Sequence, residues 1–113
     1  MAPETRPLTI RSIMAGYPVV WREPPGPPYA GSLVFGRQSI RLDGVSEGRR
    51  EVCELPFGEL VRVRSATIRE RLGRRPTLVI EARPARLLEL VSITGAGELR
   101  EVADRLALAI SGD

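Results

Sequence analysis

The sequence predicts an α+β domain: an antiparallel β-barrel or sandwich of six to seven strands with a C-terminal amphipathic helix. Three observations predict it. Short runs of alternating apolar and polar residues recur from Gly31 to Val91, and turn residues separate them. The hydrophobic period then changes, because Leu99, Val102, Ala103, Leu106 and Ile110 fall on one face of an α-helix. The chain has 113 residues, enough for one core and too few for two.

The elements follow in chain order. Residues 1–7 are expected to be a flexible tail, and residues 8–113 a single domain. Leu8 to Met14 is β-rich enough for a first strand. The segment 16–31 carries Pro18, Pro24, Pro25, Pro27 and Pro28, half of the chain's 10 prolines, with its 1 Trp and 2 Tyr. Proline at this density argues against a helix or a central strand and favours polyproline II or an extended loop. Ser32–Phe35 and Ser39–Leu42 flank Gly36-Arg37-Gln38 as a tight hairpin. Asp43-Gly44 predicts a turn that Ser46-Glu47-Gly48 prolongs. Arg50–Leu55 is a strand, ended by Pro56-Phe57-Gly58. Leu60–Arg64 alternates, with Val61 and Val63 predicted inward and Arg62 and Arg64 outward. Residues 66–72 suit a helical turn or a strand equally. Gly73–Pro76 is a turn, and 77–81 with 86–91 form a hairpin around Arg83-Pro84. The closing helix covers about 96–110. Thr94 or Gly95 is its candidate cap, and Glu101 and Arg105 form an i,i+4 pair.

Composition excludes several function classes. There is no His and no Lys, and Cys53 is the only cysteine. A Ser-His-Asp triad, a His-liganded metal, a Schiff-base lysine and a disulfide framework are therefore all excluded. No catalytic residue, metal site or cofactor is assigned. Cys53, within a strand, is expected to be a small buried hydrophobe. The 17 basic side chains, all Arg, exceed the 14 acids by a net charge of +3. This is a modest field for a polyanion binder. Mean hydropathy is −0.08, and no apolar run reaches the length of a membrane span. Glu4 and Arg11 interrupt what would be the apolar part of a signal peptide, so a cytoplasmic location is expected.

The order of strands and helix resembles the pleckstrin-homology superfold, in particular the small bacterial PH-like and GRAM-like domains. The resemblance runs from about Tyr29 to Ile110. It is carried by Gly31-Ser32-Leu33-Val34-Phe35, by Gly73-Arg74-Arg75-Pro76-Thr77-Leu78-Val79-Ile80 and by the helix after Thr94-Gly95-Ala96-Gly97. It implies a PH-like scaffold that binds ligands without chemistry. Some members hold phosphoinositides in a basic cradle between the first two strands. The corresponding loop here, about Gly36-Arg37-Gln38, is too short to wrap a headgroup, and only Arg37 and Arg41 are basic. The helix also lacks the tryptophan typical of eukaryotic members.

Two constellations remain as candidate sites. Arg22, Pro25 and Pro28 match the Arg-x-x-Pro-x-x-Pro spacing read by SH3-type grooves, and Trp21 and Tyr29 flank them as aromatic anchors. Together with an open strand edge they point to a non-catalytic module that docks a protein, a second copy of the chain included. Arg62, Arg64, Arg69, Arg71, Arg74 and Arg75 form the densest basic region. They are the candidate anion site of the second expectation, a weak contact to nucleic acid or an anionic membrane surface. Glu59, Glu70 and Glu81 lie close enough in sequence to pair with them.

Overall fold

The computed structural model describes residues 16–112. The predicted tail and the strand at Leu8–Met14 lie outside the described residues. Within them run seven strands and one helix: β1 (Tyr17–Arg22), β2 (Tyr29–Phe35), β3 (Ser39–Ser46), β4 (Arg49–Pro56), β5 (Leu60–Ser65), β6 (Leu78–Ala82), β7 (Arg86–Ser92) and α1 (Ala96–Ser111). The α+β class, the seven antiparallel strands and the C-terminal helix are as the sequence predicts.

All strands form one antiparallel sheet in the order β4-β3-β2-β1-β7-β6-β5. From β1 at the centre the chain meanders to one edge, crosses to the other edge and meanders back. That crossing is made by the turn Phe57–Glu59 alone. A link this short spans at most about 15 Å even when extended. The two edges must therefore converge at its ends, and the sheet is curled into a half-barrel. Alternate residues of each strand line the inside, among them Val19, Trp21, Leu33, Leu42, Leu55, Ile80, Leu88 and Leu90. Helix α1 packs against β5, β7 and the crossing turn and closes the interior with Leu99, Val102 and Leu106. Tyr17 ties it to β1: its hydroxyl donates to Glu101 Oε2 at 2.8 Å and accepts from Arg105 Nη1 at 2.9 Å. The Arg105 guanidinium also lies 4.1 Å from the Phe35 ring centre.

Three expectations need correction, and the helix-cap expectation holds. First, the Pro-rich segment begins with a central strand. Pro18 is tolerated in β1 because a strand residue's nitrogen and carbonyl face the same neighbour. The Pro18 carbonyl accepts from Ile93 at 3.0 Å, beyond the last β1–β7 register pair, Val19 with Ser92, so the missing donor falls at the end of that ladder and away from β2.

Second, Asp43-Gly44 is mid-strand, not a turn. Gly44 faces Gly31, and a Cβ on Gly31 would lie 1.9 Å from the Asp43 carbonyl oxygen, so glycine here serves close strand approach. The turn falls at Glu47-Gly48, both with positive φ.

Third, a bulge between Leu60 and Arg62 resets the alternation of β5. Leu60 is buried and Val61 is 44% exposed, while Val63 packs against the core.

Of the two candidate helix caps, Thr94 and Gly95, Gly95 is the N-cap, with no side-chain bond of its own. The Ser92 hydroxyl accepts from both of their backbone amides at 3.1 Å.

Candidate docking edge and basic loop

Of the sheet's two edges, β5 is covered by α1, whereas β4 packs extensively only against β3 among the described elements. The two-residue turn at Glu47-Gly48 decides which groups β4 offers. In such a hairpin the flanking pair, Ser46 and Arg49, is hydrogen-bonded, and bonding then alternates along the ladder. Glu51, Cys53 and Leu55 therefore bond to β3. The N–H and C=O groups of Arg50, Val52 and Glu54 face outward, unpaired. Pro56, next in this series, has no N–H and ends the row of donors. The side chains of Arg50, Val52 and Glu54 share the outer face, and Val52 is 43% exposed. Val45, opposite Arg50 on β3 and also on the outer face, is 49% exposed. Glu54 Oε2 accepts from the Ser39 hydroxyl at 2.8 Å.

β4 also borders a groove of about 420 Å³ at the mouth of the half-barrel, lined among others by Glu23, Tyr29, Val52, Cys53, Glu54 and Arg86. Arg86 holds this mouth. Its Nε and Nη2 reach the two Glu23 carboxylate oxygens at 2.7 Å each, a two-point pair, and Nη2 lies 3.2 Å from Cys53 Sγ. Arg86 keeps the Glu23 carboxyl below its ordinary pKa. Burial pushes the Cys53 thiol up against the opposing pull of Arg86. Cys53 is thus a buried free thiol, as the sequence predicts, but one capped by a cation. No group of three His, Cys, Asp or Glu among the described residues could hold a metal ion.

The aromatic and proline residues do not form an exposed recognition strip. Trp21 is 2% exposed, stacks on Tyr29 at 5.0 Å and donates from Nε1 to the Asp43 carbonyl at 2.9 Å. It anchors the domain's own core and is not available as a surface contact. Arg22 is paired with the buried Glu89 at 2.6 Å. Residues 23–26 close a turn through Gly26 N to Glu23 O at 2.9 Å, so Pro25 and Pro28 do not line one edge of a polyproline helix. The loop joining the first two described strands is this one, which has Glu23 and no arginine, and not Gly36–Gln38. Tyr29 remains half-buried at the groove.

The basic region divides in two. Arg62 and Arg64 share Glu81, at 3.0 and 2.7 Å, and Arg64 also pairs with Glu70 through both carboxylate oxygens. Glu70 is drawn down to a pKa of about 2, chiefly by Arg64 and then by the Thr67 backbone amide. These two arginines are neutralised. Arg69, Arg71, Arg74 and Arg75 are exposed on the 66–77 loop, and no acid among the described residues lies within salt-bridge distance of them.

Sequence reasoning named a strand edge without saying which, and it did not name Arg50, Val52, Glu54, Glu23 or Arg86. The latter two pair across 63 positions of chain, so no local signal marks them. No family model matches the chain, and no curated protein matches it either.

Proposed function

We propose that the chain is a non-catalytic docking module of PH-like architecture that takes up an extended protein segment by strand addition on β4. One observation carries the proposal: β4 presents a row of unpaired backbone groups at Arg50, Val52 and Glu54, with no described element covering it. Main-chain bonds would supply affinity, and the outer-face side chains would supply selectivity. The meander order and the closing helix support the PH-like resemblance. A reducing, cytoplasmic setting belongs to the same proposal and is supported by the free, buried thiol of Cys53. No helix among the described residues is long and apolar enough to cross a membrane.

The test is a pull-down of the tagged chain from its native lysate, washed at low and then high salt, with Val52→Pro as control. Proline at this outward position removes a donor without breaking the β3–β4 ladder. The proposal expects a stoichiometric protein that survives high salt and is lost with Val52→Pro. Capture that Val52→Pro leaves intact would contradict it.

A second reading rests on the four unpaired arginines. Arg69, Arg71, Arg74 and Arg75 can contact a polyanion such as nucleic acid or an anionic membrane surface. Arg74→Glu with Arg75→Glu should then weaken retention on a polyanion and lower its log–log salt slope by about one per lost phosphate contact. Unchanged retention would exclude this reading.

A further inference from the structure

We infer that the strand added to β4 is the β4 of a second copy of this chain, antiparallel and centred on Val52. The inference rests on the docking reading above and names its occupant. Only Arg50, Val52 and Glu54 offer both an outward N–H and an outward C=O, so any antiparallel partner strand must pair with these residues. Place the two-fold axis at Val52. Val52 then pairs with Val52 of the second copy, and Arg50 pairs with Glu54 of the second copy on each side of the axis. Each pair exchanges both of its backbone hydrogen bonds. All three outward N–H groups and the three carbonyls of the same residues are used.

The side chains agree with this register. Arg50, Val52 and Glu54 share the outer face, where a cation, an apolar residue and an anion follow one another two residues apart. Read in the opposite direction, the pattern is complementary to itself. Two Arg50–Glu54 pairs flank a Val52–Val52 contact. Sliding the second strand by two residues loses this match. One direction sets Glu51 against Glu51 of the second copy. The other sets Arg50 against Pro56 of the second copy, which has no N–H to give. Charge on an edge usually deters pairing with other chains. Here the charges select one register and one orientation.

Sedimentation velocity of the full chain over a wide concentration range tests the inference, with Arg50→Glu, Glu54→Arg and an equimolar mixture of the two. Both positions are exposed, so the fold should persist, and circular dichroism checks this. The wild type should be a concentration-dependent dimer. Each reversal alone sets like charges opposite each other twice and should weaken dimerisation by about tenfold or more. The mixture should restore it, because an Arg50→Glu chain then faces a Glu54→Arg chain with both pairs attractive. A monomeric wild type, or a dimer that neither reversal weakens, would overturn the inference. A monomer that still loses a captured protein with Val52→Pro would overturn self-pairing alone. Loss of neither dimer nor captured protein with Val52→Pro would overturn β4 docking itself.

Discussion

At the residue scale, charge placement divides the arginines into structural and free sets, and pH separates them. Glu70 has its pKa lowered from 4.5 to about 2, and Glu81 and Glu23 are also lowered, each by guanidinium hydrogen bonds. A carboxylate depressed in the folded state stabilises the fold fully above its unfolded pKa, and that contribution is lost as pH falls toward the folded value. Thermal melting should therefore show an acid limb that steepens from about pH 4.5 towards 2. Arg64→Ala removes the largest pull on both Glu70 and Glu81, leaving Thr67 on the one and Arg62 on the other, and should flatten that limb. Parallel limbs for variant and wild type would show that these pairs add nothing to folding. The paired half of the basic region was legible, since Glu70 and Glu81 lie near the arginines in sequence. The fate of Trp21 was not. Tyr17, Val19 and Trp21 alternate inward like any strand, but the surrounding prolines hide that period until the β7 ladder is known.

At the element scale, the helix was the most legible part because its period spans four turns and needs no partner to define it. Leu106 is wholly buried on its inner face. Leu106→Ala should cost about 2–5 kcal/mol of stability, measured by denaturant unfolding. A loss well below 1 kcal/mol would mean that the helix does not close the core. The strands were legible as alternations, but their ends were not. In β3 the Asp43-Gly44 pair has the residues of a turn and the function of a close crossing against Gly31. In β5 the bulge after Leu60 moves Val61 outward, and no single-strand pattern announces an inserted residue.

At the scale of the whole molecule, the proposed docking depends on which strand is left at the edge, and that is a property of topology. Strand-like alternation in Arg50–Leu55 does not say whether β4 has one neighbour or two. The order β4-β3-β2-β1-β7-β6-β5 settles this, and the helix over β5 makes the two edges unequal. Only then do Arg50, Val52 and Glu54 stand out as the row of outward backbone groups on which the docking proposal rests, which their spacing alone does not show. The most direct measurement is amide hydrogen exchange along β4 at low and high protein concentration, residue by residue. The account predicts that Glu51, Cys53 and Leu55, bonded to β3, are protected throughout. Arg50, Val52 and Glu54 should exchange fast in dilute solution and become protected together as concentration rises. If these three amides stay unprotected at every concentration while the rest of the sheet is protected, β4 is not the docking edge.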